Sequence, residues 1–400
     1  MEIIADLHMH SRNSRGCSKD LDLEHTEKYA KLKGIHLLGT GDFTHPAWNA
    51  ELKKKLTETS AGSGIFQTAT KQQYLLQTEI SLVYTQDGRG RRVHQIVLAP
   101  SFEVVDQIVE YLKRHGRVDY DGRPIFKIPS DNFVYELHKI SHDIEVIPAH
   151  IWTPWFALFG SKSGFNSIKD CFGDQVKHVH ALETGMSSDP AMNWRLSQLD
   201  QFNIVSFSDA HSYWPWRIGR EATIFEVKQV TYKNIVAALR TAQGLKGTIE
   251  VDPEYGKYHE DGHRACGVCM TPQESLANKN LCPKCKRPLT IGVHHRVEEL
   301  ADRPVGFKPK NRPPFTTVLP LAEIIAHVEN KGVGTKSVSA QYYRLLQLGS
   351  EFDVLLRVTP QDIARIGGDR IAAAILKSRE GAIKMSPGYD GEYGHPVFDV

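Results

Sequence analysis

The residues able to do chemistry in this chain recur in one kind of place. His8 and His10 close a short apolar run, MEIIADLHMH. Strand side chains alternate between faces, so Asp6, His8 and His10 are expected to point one way while Leu7 and Met9 point the other. Two imidazoles at a strand end beside a carboxylate are donors suited to a divalent metal. Asp42 and His45 follow the next apolar run in GTGDFTHP, and Glu79 closes another in LLQTEIS. His94 opens RRVHQIVLAP, His150 closes IEVIPAH, Glu183 closes HVHALETG, and Asp209 with His211 closes IVSFSDAH. Any one of these reads equally well as an ordinary polar strand end. Their recurrence predicts that the fold gathers them into a multinuclear metal centre.

A second donor set lies further along. Cys266-Gly-Val-Cys269 and Cys282-Pro-Lys-Cys285 are separated by twelve residues, a spacing that suits tetrahedral four-thiolate zinc. Four protein ligands leave no open position, so this zinc is expected to fold its module and not to perform chemistry. Cys17 and Cys171 stand apart and read as ordinary residues; His259, His263, His294 and His295 are not needed as ligands. Lys284, Lys286 and Arg287 are placed to meet DNA, or are simply the surface of a zinc ribbon.

The elements that must position these groups follow from apolar patterning. Short β-branched runs alternate with helical patterns over the first 230 residues. The expected strands are Ile3 to Leu7, Ile35 to Gly39, Tyr74 to Thr78, Val93 to Leu98, Glu145 to Pro148, Val179 to Leu182 and Ile204 to Phe207. Ser101, Ser130 or Asp131, and Ser188-Asp189-Pro190 are expected helix starts. The order reads βα throughout, which predicts an α/β barrel whose strand ends converge on one face. From Asp302 to Pro320 the chain is rich in proline and basic residues and reads as an extended connection, not a packed element. Beyond it, two helices are expected around Gly332-Val-Gly334, a turn like that of a helix-hairpin-helix element, whose amides suit a DNA phosphate, or a plain turn. A last helical stretch, Thr359 to Arg379, leads into the glycine-rich GYDGEYGHPVF. The domain expectation is therefore a barrel over 1–250, a zinc module over 251–301, and a linker with a helical region over 302–400.

Composition agrees with this division. Four hundred residues imply roughly two to three domains, and 40% hydrophobic with 24% charged residues is ordinary for a globular protein. A net charge of +2 does not mark the whole chain as a nucleic-acid binder, so any such site must come from local patches. The sequence has neither an apolar run of membrane-spanning length nor a secretory leader, so the expected location is cytoplasmic, with no membrane partner. Cysteines clustered in one knot suit that reducing compartment.

D-x-H-x-H at the first strand, G-D-x-x-H after the second, the glutamate after the third, a later lone histidine and a closing S-D-A-H together resemble the PHP superfamily. The resemblance implies a distorted (β/α)7 barrel that carries up to three divalent metals and hydrolyses phosphoesters. It implies His8, His10, Asp42, Glu79, His150, Asp209 and His211 as ligands, with His94 and His45 as further candidates. The chain departs from that pattern at Arg15, Gly16 and Cys17, where many members have another His or Asp, so one metal is expected to be held differently there. The longer strings TGDFTHPAWNAEL, HIWTPWFALFGSKSGF, ALETGMSSDPAMNWRLSQLD and SFSDAHSYWPWRIGREA resemble the endonuclease Q family of DNA-repair nucleases, in which a PHP domain precedes a four-cysteine zinc module and a helical region. That resemblance implies DNA cleavage on the 5′ side of a deaminated base (uracil, hypoxanthine or xanthine) or an abasic site, leaving 3′-hydroxyl and 5′-phosphate ends. It implies two or three divalent ions (Zn, Mn or Mg) in the barrel and one structural zinc. The implied partners are DNA with such lesions and other repair or replication proteins.

Phosphodiester hydrolysis needs an activated water and charge screening, which metal ions about 4 Å apart supply together. One such ion would activate a water for in-line attack on phosphorus, and another would steady the departing 3′ oxygen. Asp209, Glu183 and Asp189 are the candidate catalytic carboxylates; Glu183 and Asp189 lie in ETGMSSDP, where either would ligate a metal or act on the water, and Asp189 reads equally as a helix cap. Trp152, Trp155, Phe156 and Phe159, followed by Gly160, Ser161 and Lys162, are expected as the wall or wedge of a lesion pocket, or else as barrel-rim core. Tyr213, Trp214 and Trp216 carry the same pair of readings. Arg89, Arg91 and Arg92 in DGRGRR form a basic turn suited to clamping a DNA backbone, or a solvated hairpin tip. Two other functions fit parts of the chain: a small-molecule phosphatase of the histidinol-phosphatase type explains the barrel but not the extra 150 residues, and a non-enzymatic nucleic-acid module explains the zinc but leaves the strand-end donors idle.

Overall fold

The computed structural model describes residues 1–397, so Phe398 at the end of the glycine-rich tail lies outside the described residues. Strand β1 (Glu2–Asp6) is buried from Ile3 onward and sits at the centre of the sheet. It is followed by helix α1 (Leu23–Lys33), which Asp22 caps by accepting from the His25 amide and Gly34 ends at φ 90°. Strand β2 (Leu37–Gly39) runs parallel to β1 and to β3 (Gln73–Gln86). Strand β4 (Arg89–Ala99) is antiparallel to β3 and leads through α2 (Phe102–Lys113) and α3 (Ser130–Ile140) to β5 (Glu145–Pro148), itself antiparallel to β4. Strands β6 (Ala181–Glu183) and β7 (Asn203–Val205) form a parallel pair. The chain after β7 returns to β1, where Ala210 bridges Met9 and the Ser208 amide donates to Asp6 Oδ1 at 2.9 Å. β8 (Ala222–Glu226) and β9 (Leu245–Glu250), joined by α4 (Tyr232–Thr241), extend the sheet antiparallel beyond β1.

The expected βα alternation fails in the middle. β3 and β4 are joined directly by Asp87-Gly88, both at positive φ (52° and 71°), as a tight hairpin requires. The hairpin-tip reading of DGRGRR therefore holds, but the strands run much further than their apolar cores suggested. Glu79 and His94 consequently lie within strands, not at their ends. Register places Ser81 opposite His94 and Glu79 opposite Ile96, so Glu79 and His94 are diagonal neighbours on one face. The same face carries Leu75 on β3 and Ile96 and Leu98 on β4, which join Leu7, Leu37, Ile147, Ala181 and Val205 in one apolar cluster closed by Ile235 and Leu239 of α4. Along these strands an apolar interior thus gives way to polar donors toward one end.

Past the barrel, the hairpin Asp261–His263/Val268–Met270 and helix α5 (Val293–Leu300) form the small module. The proline-rich connection is not wholly unpacked, as its composition suggested: strand β10 (Phe315–Thr317) adds to the barrel sheet beside β9, so 302–400 does not stand apart from 1–250. Helices α6 (Leu321–Glu329), α7 (Lys336–Leu345) and α8 (Asp369–Arg379) follow, with the exposed Gly332-Val-Gly334 turn between the first two. Lys33 of α1 and Glu351 in the helical region form a buried ion pair at 2.7 Å that joins the two bodies. Among the described residues no helix is long and apolar enough to cross a membrane.

Candidate metal centre

The structure brings His8, His10, Glu79 and Asp209 together so that one ligand atom from each lies within 4.8 Å of the others. Glu79 also joins His94 and His150 in a second such group. Glu79 is thus shared: its Oε1 meets His94 Nδ1 at 2.8 Å and His150 Nε2 at 3.1 Å, while its Oε2 faces His10 Nε2 at 3.3 Å. His8 Nδ1 donates to Glu183 Oε1 at 2.8 Å, which turns Nε2 toward Glu79 and Asp209 at 3.7 and 3.6 Å. His10 is placed in the same way. Its Nδ1 meets Asp42 Oδ1 at 3.1 Å and its Nε2 meets Asp209 Oδ1 at 3.1 Å.

Supporting groups hold these donors. The Ser11 amide and the Ser11 and Ser14 hydroxyls donate to Asp42 Oδ2, and the His150 amide donates to Glu183 Oε2 at 2.7 Å. Asp42, His150 and Asp209 all sit at positive φ (45°, 30° and 47°), a conformation costing about 1–3 kcal/mol each that the surrounding packing must impose. Two glycines permit the close approach. A Cβ at Gly185 would fall 2.4 Å from that of His150, and one at Gly122 would fall 2.2 Å from Asp42 Oδ2.

The electrostatics are those of a site built for cations. Burial alone would favour neutral acids, yet neighbouring His94, Arg123 and His8 hold Glu79 well below the usual carboxylate range. Asp209 is likewise held low, against burial, by His211, His8 and His10. Burial opposes charge on His8, but Glu183, Asp209 and Glu79 outweigh it and raise its pKa; His94, less well compensated, is pushed down to about 4. His8 Nε2 is buried with no hydrogen-bond partner among the described residues. An orphaned imidazole nitrogen facing crowded carboxylates fits a divalent cation.

Other expected residues fall elsewhere. Asp6 anchors the Ser208 and Gly219 amides and does not join His8 and His10, and burial pushes its pKa up to about 6. His45 begins a helix outside both donor groups. Asp189 is a helix cap, accepting from the Met192 amide at 2.7 Å, and its carboxylate belongs to neither group. Burial, with Asp252 nearby, pushes it up to about 6. Trp152 and Phe159 are fully buried against each other, Trp152 Nε1 donating to Asn193, so they are core and not a base wedge. Trp155 is half-buried, edge-on to Tyr258; Phe156 packs on His94. Tyr213 stacks on Tyr29, while Trp214 meets Tyr29 edge-on and stacks on Trp216 where the barrel meets the helical region. Arg91 is spent on the Gly164 carbonyl and the Phe165 ring, whereas Arg89 and Arg92 are exposed; Arg89 and Lys162 border a cleft of about 670 Å³ between barrel and module.

A cavity of about 660 Å³ opens over Asp209 and His211, and Lys257, Tyr258 and Tyr393 in its wall had no motif to announce them. Arg217, Arg220, Lys257, Tyr258 and Tyr393 line it, the last supplied by the glycine-rich tail. That tail is pinned by the Gly391 amide to Lys257 O and the Gly394 amide to Tyr255 O. Cys17 also lines the cavity, and burial raises its thiol to about 12. Arg123, which donates to Glu79 Oε2 at 3.0 Å, was equally silent in the sequence, since a lone arginine after a glycine carries no spacing signal.

In the small module, His263, Cys266, Cys282 and Cys285 form the donor group, and Cys269 lies outside it. Register explains the difference from the four-thiolate expectation. His263 pairs with Val268 and Gly262 with Cys269, so neighbouring His263 and Cys269 point to opposite faces of the hairpin. Three thiols and one imidazole still suit tetrahedral zinc.

Comparison with known proteins adds to this geometry. Residues 320–382 match the family of the MJ0043 C-terminal domain. MJ0043 of Methanocaldococcus jannaschii is 32% identical over 296 residues; the match covers 71% of this chain but only 35% of MJ0043, so the chain spans about a third of that protein. YqxK of Bacillus subtilis is 29% identical over 412 residues, 98% of each protein. The crystal structure of the lesion-specific endonuclease PfuEndoQ from Pyrococcus furiosus superposes with a TM-score of 0.89 at 33% identity, covering 100% of this chain and 96% of that one. An endonuclease Q complex with a 27-mer duplex bearing an abasic lesion at the active site superposes equally, at 0.89 and 33%, covering 100% and 97%.

Proposed function

The chain belongs to the endonuclease Q family, and from that premise we propose that it cleaves the DNA backbone beside a damaged nucleotide. The bond cut is the phosphodiester 5′ of uracil, hypoxanthine, xanthine or an abasic site, leaving 3′-hydroxyl and 5′-phosphate ends. One observation carries this reading: the buried acid-and-histidine donors open into a cavity whose wall bears Arg217, Arg220 and Lys257. Cations on the wall attract a polyanion, and the donors beneath suit ions for hydrolysis.

His8, His10, Glu79, His94, His150 and Asp209 would hold zinc, manganese or magnesium ions, which when bound would supply the Lewis acidity that acidifies water and offsets phosphate charge. The chain's own residues do the rest. Glu183 keeps His8 and the His150 backbone in place. Asp42 does the same for His10. Arg123 sits against Glu79, its charge held against burial by the Glu79 and Asp209 carboxylates, and would stabilise negative charge that develops on a nearby phosphate oxygen. Trp155 and Tyr258, edge to face, offer apolar surface for an unstacked base. The zinc module and tail contribute Tyr258 and Tyr393 to the cavity, which a stand-alone barrel phosphatase would not require.

The test is to incubate the purified chain with duplexes carrying each lesion, with and without divalent ions, and to map the ends. Metal-dependent products cut 5′ of the lesion are expected. Hydrolysis confined to small phosphomonoesters would overturn the reading.

A further inference from the structure

We propose that His259, Glu260 and His294 form a further metal site, distinct from the barrel donors and from the thiol cluster, which binds a divalent ion of the zinc class. Their ligand atoms lie within 4.8 Å of one another, and no barrel donor belongs to the group. His259 and Glu260 lie on the connector that leaves the barrel, and His294 lies on α5 of the module. The His294 amide donates to the His259 carbonyl at 3.0 Å, which fixes the two backbones side by side. The imidazoles of His259 and His294 are nearly parallel, with centroids 5.5 Å apart and Glu260 beside both.

An ordinary ion pair accounts for only part of this arrangement. His294 Nδ1 meets Glu260 Oε1 at 2.9 Å, and His259 Nε2 approaches the same oxygen at 4.0 Å. Glu260 Oε2 and His259 Nδ1 remain buried without hydrogen-bond partners among the described residues, although both residues are only 8% exposed. Buried polar atoms are normally satisfied, and the unpartnered Glu260 Oε2 is the exception that an ion shared by the Glu260 carboxylate, His259 Nε2 and His294 Nδ1 explains. Two imidazoles and a carboxylate are a zinc-type donor set. Tetrahedral ligands at about 2.0–2.2 Å from zinc lie closer together than the group does now, so binding requires it to draw in slightly. Glu298, whose Oε1 is 3.7 Å from His294 Nε2, lies one helical turn along α5 and steadies that ring from the other side. An ion here would fasten the connector to the module beside Tyr258, at the wall of the catalytic cavity that His259 itself lines.

Anomalous diffraction at the zinc edge from crystals of the full chain equilibrated with micromolar zinc tests the site. A peak enclosed by His259, Glu260 and His294 is expected, and its absence would overturn the proposal. In solution, a His259→Gln/His294→Gln variant should retain about one zinc ion per chain fewer than the wild type by elemental analysis, while cobalt substitution still gives the thiolate-to-metal absorption of the cysteine cluster. Unchanged zinc content in that variant would also count against the site; should the variant not fold, the wild-type diffraction measurement decides.

Discussion

His8 can offer a metal only one ring nitrogen, because Glu183 takes the other. That division of labour turns Glu183 from a candidate ligand into the group that aims a ligand. Replacing it with glutamine keeps the shape but weakens the hold on His8 and on the His150 amide. Glu183→Gln is expected to lower metal affinity by about 10- to 100-fold, measured by competition with a chelating dye; unchanged affinity would show that His8 is aimed by something else. The donors themselves were legible in the sequence because metal ligands are chemically rare types that recur in one topological place. Their division into ligands and supports was not, since Glu183 and Glu79 look alike until their neighbours are known. Asp189 shows the converse problem: a single aspartate before proline satisfies both a cap and a catalytic reading, and folding chose the cap. Tyr393 and Arg123 were out of reach because only tertiary contact brings them to the site.

At the scale of elements, the strands carry more than the ring. Glu221 just before β8 and Glu250 at the end of β9 are both fully buried and share Ser206, whose Oγ lies 2.8 Å from one and 2.9 Å from the other. A hydroxyl donates one proton, so two close carboxylates need a further proton between them. Burial raises both, Glu221 to about 8. The folded chain therefore keeps protons that the unfolded chain releases above about 4.5. This contribution to stability is fully present below that pH and is lost as pH rises toward 8 and beyond. Thermal melts should show Tm falling across that window, with a shallower fall for Glu250→Gln; an equal slope in both would remove the pair as the cause. The Glu221 carboxylate also accepts from the Met186 amide, so the same pair supports the loop beside the cavity. The strands in this region were legible as apolar runs, but the length of the β3–β4 hairpin was not. Buried Gln77, Glu79, Ser81 and Gln95 interrupt the hydrophobic pattern, Glu79 as one of the donors and Gln77 by accepting from the Met9 and Gly41 amides.

Across the whole molecule, the order of barrel, cysteine-bearing module and helices was legible from composition and cysteine spacing. How they lock together was not, because it depends on residues as distant in sequence as Lys33 and Glu351. Lys33 Nζ reaches Glu351 and the Pro215 carbonyl, and Glu351 also accepts from Tyr342 and the Leu321 amide. Lys33→Met should destabilise the protein by about 3–5 kcal/mol in chemical denaturation, because it strands a buried carboxylate. Lys33→Met with Glu351→Leu should recover a substantial part of that loss, and equal losses in both variants would show that the charge pair is not what joins the bodies. The tail that carries Tyr393 adds a consequence in time. Translation releases Asp209, the last of the donors, well before Tyr393, so the growing chain holds its full donor set while the cavity wall still lacks the tail.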